Sequence, residues 1–184
     1  SGGKSDSGFI DKNGKFVIYT PPSCHKISNF HEGLARIEFF NNRAFIDKNK
    51  RLVILPAFGI WSEVSEGLIL INDETEELDF EERWRSGYEE PRLYKHGFMN
   101  TRGKIAIKRQ FYRAESFHDG MAKISEWRVG SGFIDKTGKI VIKPTLYQNL
   151  NNFHEGLAAF KRKETWGYID KTGREVIKRK YENV

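Results

Sequence analysis

The sequence predicts an all-β protein of tandem three-stranded antiparallel meanders, each about 35 residues long, stacked as a curved solenoid or propeller-like arc. Three observations predict this fold class. A first motif occurs five times, a second motif follows it in a fixed register, and 3.6-residue periodicity is absent outside one insertion. Because the chain contains a single cysteine, Cys24, it cannot form an intrachain disulfide, and folding must rest on packing.

The first motif has the form Gly-Phe-Ile-Asp-Lys-Asn/Thr-Gly-Lys followed by an apolar run. Its copies begin at residues 8, 44, 97, 132 and 167, and the aromatic positions are spaced by 36, 53, 35 and 35 residues. Two β-prone runs that flank an Asp and Gly turn are typical of a β-hairpin, in which Gly supplies the positive φ angle. The motif therefore predicts five hairpins.

The second motif, Phe-His-Glu-Gly-Leu-Ala, follows each of the first four hairpins, at residues 30–37, 64–71, 117–124 and 153–160. We interpret it as a third strand entered through a glycine turn. Connections of a few residues favour antiparallel neighbours, so each unit is expected to be a meander. Five hairpins and four third strands predict about fourteen strands.

The repeated pattern resembles the WG-repeat family, also called KWG repeats, which is common in bacterial proteins. Trp166-Gly167-Tyr168-Ile169-Asp170 contains the eponymous dipeptide, and Val141-Ile142-Lys143-Pro144 and Val53-Ile54-Leu55-Pro56 resemble the segment that follows it. The resemblance covers residues 8–184 apart from the insertion. It implies a β-rich repeat scaffold with a binding role, and it brings no catalytic residues.

We predict one domain: a polar tail at residues 1–7, then a single repeat array at 8–184 with an acidic insertion at 72–96. In one interpretation the insertion binds a partner. In the other, which we favour, it is a solvated loop or short helix that folds back on basic strands. The candidate partner-binding residues are Trp84, Tyr88, Tyr94, Glu76, Glu77, Asp79, Glu81 and Glu82.

The net charge of +6 and a pI near 9.3 raise the question of nucleic-acid binding. The basic residues, however, are largely lysines at repeated turns, where they keep strand edges soluble, and no RNA-binding motif is present. Nucleic acid is therefore an unlikely partner. No apolar run reaches the roughly 20 residues of a membrane span. The compartment stays open, with the cytoplasm slightly favoured over a secreted or surface location.

We expect no catalytic constellation, no metal site and no cofactor. His31, His118 and His154 share one repeat position and should be spread along the array, too far apart to bind one metal. Cys24 stands where other repeats have an aromatic residue, so it should pack in the core. Trp61, Trp127 and Trp166 are expected to be buried.

The sequence thus predicts a non-catalytic module that binds a protein, as a scaffold, an inhibitor or an immunity-type protein. A carbohydrate or cell-envelope binding module is the alternative, expected if Trp and Tyr side chains lie exposed in a row. An unrecognised enzyme is the third hypothesis, which requires titratable groups of different repeats to converge.

Overall fold

The computed structural model describes residues 8–10, 13, 15–19, 24–39, 42–49, 51–54, 59–60, 62–72, 95–147 and 149–181. Most of these residues lie in β-strands. In chain order they are β1 (Gly8–Ile10), β2 (Phe16–Tyr19), β3 (Cys24–Ile27), β4 (Leu34–Phe39), β5 (Asn42–Asp47), β6 (Leu52–Ile54), β7 (Gly59–Ile60), β8 (Leu68–Asn72), β9 (His96–Asn100), β10 (Ile105–Phe111), β11 (Arg113–His118), β12 (Met121–Glu126), β13 (Gly130–Asp135), β14 (Ile140–Thr145), β15 (Asn149–Leu150), β16 (Leu157–Arg162), β17 (Thr165–Asp170) and β18 (Glu175–Tyr181).

Successive strands pair antiparallel into five separate sheets, which we label A to E in chain order. Sheet A is the β1–β2 hairpin. Sheets B (β3–β6), C (β7–β10), D (β11–β14) and E (β15–β18) are four-stranded meanders. The predicted all-β fold of antiparallel meander repeats in an open array is confirmed. Among the described residues, no helix has the length and apolarity needed to cross a membrane.

Each four-stranded unit has one strand more than the sequence predicts. The additional strand comes first in its sheet, as β3, β7, β11 or β15, and the Glu-Gly strand pairs with it and with the following hairpin. Two of these first strands contain only two residues. In β11 the interior of the strand alternates Ala, Glu, Ser and Phe, with only Phe117 buried. Such short or weakly apolar segments give no period-2 signal, so the prediction of about fourteen strands was too low.

The hairpin turns have the predicted chemistry. Asp135 Oδ1 accepts hydrogen bonds from the backbone N–H groups of Thr137 (2.9 Å) and Lys139 (3.1 Å). Gly138 N–H donates to the Asp135 carbonyl, and its φ of +85° is a conformation that glycine adopts without strain. Asp170 repeats this arrangement. The Asp-x-x-Gly spacing therefore fixes where each hairpin reverses.

The core lies between the sheets rather than within one layer. In sheets B, C and D the motif's aromatic residue faces the following sheet, and in sheets C, D and E the next residue faces the preceding sheet, because side chains alternate along a strand. Phe133 thus joins a buried cluster with Phe153 and Phe160 of the next unit, whereas Ile134 packs on sheet C. The Phe133 and Phe153 rings meet edge to face at 4.6 Å. Equivalent clusters join sheet B to C and sheet C to D.

The two ends of the sheets carry different features. One end, which we call the turn end, holds the Glu-Gly turns and the Asp-Lys hairpin turns. The other, which we call the insertion end, holds the turn at residues 127–129, and β8 ends and β9 begins there at Asn72 and His96. These last two residues are paired across the strands. The insertion is therefore attached at this end.

Candidate functional site

The candidate residues of the insertion, Trp84, Tyr88, Tyr94, Glu76, Glu77, Asp79, Glu81 and Glu82, lie outside the described residues. The structure does show where the chain returns from the insertion to sheet C. His96, the first residue of β9, has its Nδ1 3.1 Å from the carbonyl oxygen of Tyr112, so that this carbonyl accepts when Nδ1 carries the proton. Tyr112 connects β10 to β11. The insertion thus returns beside the start of sheet D.

At this point the protein exposes a small aromatic and cationic surface. We define it by Tyr112, Arg113, Trp127, Arg128 and Val129, and call it the aromatic patch. The rings of Tyr112 and Trp127 lie 5.4 Å apart at 43°. The guanidinium carbons of Arg113 and Arg128 lie 5.7 Å and 5.8 Å from the Tyr112 and Trp127 ring centres. Each ring therefore has a cation beside it, a favourable arrangement for its π system.

The expectation that Trp127 is buried was wrong. Its side chain is 40% exposed, and that of Val129 is 50% exposed. Trp127 lies in the turn between β12 and β13, outside both repeated motifs. This position outside the repeated motifs is the feature of the sequence that could have indicated that Trp127 is exposed. Trp166, within a repeat, is half-buried, and Trp61 lies outside the described residues.

A polar cavity of about 340 Å³ lies at the same end, and Arg113 of the aromatic patch lines it. Lys123 lies in the cavity wall. The Lys123 ammonium pairs with Glu115 (2.7 Å) and donates to the Leu150 carbonyl (2.9 Å). The Ser125 and Ser131 hydroxyls share a hydrogen bond of 2.8 Å. The Lys123 ammonium and the two serine hydroxyls thus already have hydrogen-bonding partners in the cavity wall.

At the turn end, the acid of each of the first three Glu-Gly or Asp-Gly turns binds the backbone of the next turn. The carboxylate of Glu32 accepts from the N–H groups of Glu66 and Gly67, both at 2.6 Å. Glu66 in turn accepts from Gly120 N–H at 3.0 Å, and Asp119 accepts from Gly156 N–H at 2.5 Å. We call this series the acid ladder. It joins sheet B to C, C to D and D to E.

Lysines of the hairpin turns complete two steps of the ladder. Lys136 Nζ lies 3.1 Å from Glu66, and Lys171 Nζ lies 2.8 Å from Asp119. Partial burial raises the pKa of Glu66, but Gly120 N–H and Lys136 together lower it by more, so it lies below its ordinary value of 4.5. Lys171, and then Gly156 N–H, hold the pKa of Asp119 below its ordinary 3.8. Both carboxylates are therefore stabilised as anions.

The expectation that the motif's histidines would be spread apart was wrong for one pair. The rings of His118 and His154 have centres 5.8 Å apart. Successive sheets stack face to face, which brings equivalent turn positions side by side. In the repeat that has Ser65 in this position, the hydroxyl instead donates to the Phe117 carbonyl at 2.6 Å. Within the part of the chain that the structure describes, no three His, Cys, Asp or Glu side chains are grouped for metal binding.

Cys24 is half-buried and packs beside a buried cluster that contains Ala35 and Ile37. Its Sγ–H donates to the Lys26 carbonyl at 3.2 Å. This placement agrees with the predicted packing role.

The acid ladder predicts that the protein loses stability in acid. A carboxyl whose folded pKa is depressed contributes stability that is present above its unfolded pKa and is lost as pH falls through the folded pKa. For Glu66 and Asp119 the loss begins near the ordinary values of 4.5 and 3.8. Urea unfolding at neutral pH and at about pH 3 should show a lower free energy of unfolding in acid.

The matched variant for this measurement is Glu66→Gln, which cannot ionise at position 66. It should be less stable than the wild type at neutral pH, and the difference should shrink in acid. A pH dependence identical in the two proteins would exclude Glu66 as a contributor.

The comparison with protein families agrees with the repeat pattern. A family model described as a WG-containing repeat matches residues 8–42, 97–126, 132–165 and 166–184. No curated protein matches the chain. Among solved structures, the chain is similar to the computationally designed Ika8 protein, with a TM-score of 0.46 and 7% identity over 90% of this chain and 52% of that one. The chain thus spans about half the length of that designed protein.

Proposed function

The chain belongs to the WG-repeat family, and we propose that it uses this repeat scaffold to recognise a protein partner without catalysing a reaction. The observation that supports this proposal best is the aromatic patch at the insertion end. Trp, Tyr and Arg are the residue types that contribute most of the binding energy in protein interfaces. Here all three types occur together on the surface, at Tyr112, Trp127 and Arg128.

The local backbone holds the aromatic patch in place. Arg128 has a φ of +57°, and Val129 N–H donates to the Glu126 carbonyl at 3.2 Å, which closes the turn between β12 and β13. Tyr112 is fixed between β10 and β11. Because the turn is anchored in a four-stranded sheet, little conformational freedom is lost when a partner covers the rings. A pre-positioned Trp–Tyr pair therefore favours recognition of a folded surface.

The insertion is proposed to be a second part of the same interface. It is attached through His96 beside Tyr112, and the sequence adds Trp84, Tyr88 and Tyr94 with the acids Glu76, Glu77, Asp79, Glu81 and Glu82. An acidic segment next to exposed arginines would present charges of both signs to a partner. Such patterns contribute to specificity and association rate more than to affinity.

The non-catalytic part of the proposal is supported by the pairing of a lysine in the wall of the polar cavity. Lys123, its most enclosed cation, is held by both Glu115 and a backbone carbonyl. A general acid or base must instead be able to reach a substrate proton.

The test is affinity capture from the native organism with crosslinking, followed by affinity measurement with the captured protein. Trp127→Ala should weaken binding at least about tenfold, since interface tryptophans commonly contribute 2 kcal/mol or more. Val176→Ala is the control, because Val176 is similarly exposed (42%) but lies in β18, far along the chain from the patch. Equal affinities for the Trp127→Ala variant and the wild type would contradict the proposal.

A carbohydrate is the alternative ligand, favoured by the polar cavity, which combines Tyr147, Asn149 and two serines in its lining. Aromatic faces and hydrogen-bonding groups together suit a sugar ring. Since Arg113 both lines the cavity and lies beside Tyr112, a bound glycan should perturb the fluorescence of Trp127. Tryptophan fluorescence that is unchanged across a glycan panel would exclude this alternative.

A further inference from the structure

Two histidines of the repeated motif lie side by side at the turn end, where sheet D meets sheet E. His118 is the last residue of β11, and His154 lies between β15 and β16. Their ring centres are 5.8 Å apart, and the ring planes are tilted by 44°. The sheet that follows His31 has Ser65 at this motif position, so it offers no imidazole there. The pairing is therefore a property of sheets D and E.

The backbone holds both histidines in place. His154 N–H donates to the Leu157 carbonyl at 2.9 Å, and Leu157 N–H donates back to the His154 carbonyl at 3.0 Å. His118 begins the equivalent turn after β11, and the carboxylate of Asp119 joins the two turns by accepting from Gly156 N–H. Only side-chain torsions are thus left to be set when a ligand binds between the rings, which keeps the entropic cost of binding low.

The ring nitrogens of the pair are available to a ligand. Neither His118 nor His154 makes a side-chain hydrogen bond or an ion pair with another described residue. A neutral imidazole keeps one nitrogen whose lone pair can bind a metal ion. Since His154 is exposed and His118 is only half-buried, an ion from solution can reach both rings.

The separation of the rings suits one shared ion. Zinc–nitrogen bonds of about 2.0–2.1 Å and a tetrahedral angle place the centres of two imidazoles roughly 5 Å apart. The observed 5.8 Å therefore has to shorten by less than about 1 Å, which a small rotation of the two side chains supplies.

The charges beside the pair favour a cation. Asp119 and Glu155 follow the two histidines directly in the chain, and Lys171 pairs with Asp119 at 2.8 Å. Two carboxylates thus stand against one ammonium. A divalent ion brought to the two rings would lower this excess of negative charge.

We propose that His118 and His154 form a binding site for a divalent transition-metal ion such as zinc. Imidazole nitrogen suits Zn²⁺, Cu²⁺ and Ni²⁺. The described part of the chain groups no three His, Cys, Asp or Glu side chains for a metal, so the site has two protein ligands and water completes the coordination. A bound ion cross-links sheets D and E at the turn end, away from the aromatic patch and independently of the function proposed for that patch.

The test is a titration of the full chain with zinc chloride, followed by NMR of the histidine ring protons. The ring signals of His118 and His154 should shift together and saturate at one equivalent of zinc. Those of His31 should not follow them. The absence of a saturable shift of both rings at millimolar zinc would overturn the proposal.

Variants of the chain give the matched controls. His118→Gln and His154→Gln should each weaken zinc binding at least about tenfold, since the loss of even an outer-shell partner costs about 10-fold to 100-fold in metal affinity. His31→Gln, at the same motif position, should bind zinc as the wild type does. Equal zinc affinities for His31→Gln and His118→Gln would contradict the assignment. Trp127→Ala should not alter zinc binding, so failure at this site and failure at the aromatic patch are distinguishable.

Thermal unfolding gives a second measurement, because unfolding separates the two histidines and releases the ion. Zinc at about 100 times its dissociation constant should raise the melting temperature of the wild type by about 5–10 °C. It should leave that of His154→Gln nearly unchanged. A rise of the same size in His154→Gln would mean that zinc binds elsewhere on the chain, and the proposal would be wrong.

Discussion

Replacing Phe133 with alanine should lower the free energy of unfolding by about 3–5 kcal/mol, the usual cost of removing a fully buried aromatic ring. Phe133 is 0% exposed and fills the interface between sheets D and E, where its ring meets Phe153 edge to face. The neighbours belong to two rigid sheets joined by the acid ladder, so they cannot collapse fully into the cavity. Urea unfolding monitored by circular dichroism measures the change.

The control for this variant is Tyr168→Ala, at the same position of the last repeat. Tyr168 faces away from sheet D, on the side of sheet E that no described sheet covers, and its side chain is half-buried. Its loss should cost only about 1–2 kcal/mol, because less apolar surface returns to water. Similar destabilisation by both variants would mean that the stacked interfaces are not where the stability lies.

The hairpins could be predicted because their information is local. Asp135 and Gly138 bond within one turn, and an alternating run on each side is enough to indicate strands. The first strand of each sheet could not be predicted in this way. Gly59–Ile60 and Asn149–Leu150 are held by pairing with β8 and β16, so their structure is imposed by neighbours rather than by their own pattern.

The acid ladder shows a different limit of sequence reasoning. The recurrence of an acid before glycine is visible in the sequence, and the glycine was correctly interpreted as a turn residue. The partner of each acid is a backbone N–H about 35 residues away, or 54 residues away across the insertion. Backbone groups have no sequence signature, so nothing in the sequence indicated that the acid connects two repeats.

Repeated residues and residues that differ between repeats lie at opposite ends of the molecule. At the turn end the repeated residues bind one another through the acid ladder. At the insertion end, residues that differ between repeats, such as Trp127 and Val129, lie at the surface. Recognition specific to this chain is therefore expected at the insertion end.

Replacing Gly132 with alanine is the second change with a large expected effect. A Cβ at this position would collide with the Ile142 carbonyl oxygen and lie 2.6 Å from the Pro144 nitrogen, both backbone atoms of β14. A backbone atom cannot turn aside as a flexible side chain can, so β13 and β14 would have to separate. We expect a loss of about 2–3 kcal/mol, at the upper end of the usual overpacking cost.

The control for this variant is Gly156→Ala. It measures the general cost of replacing a glycine at a position without the close approach found at Gly132. A Cβ on Gly156 meets nothing within 4 Å, although its φ of +82° imposes a strain of about 1 kcal/mol on alanine. The N–H that binds Asp119 is retained. Ala44 stands naturally at the position of Gly132 in sheet B, where the residues that follow Ile54 lie outside the described residues. The glycine before the aromatic is thus required in sheet D by the close approach of β14, and equal melting temperatures for Gly132→Ala and Gly156→Ala would contradict this explanation.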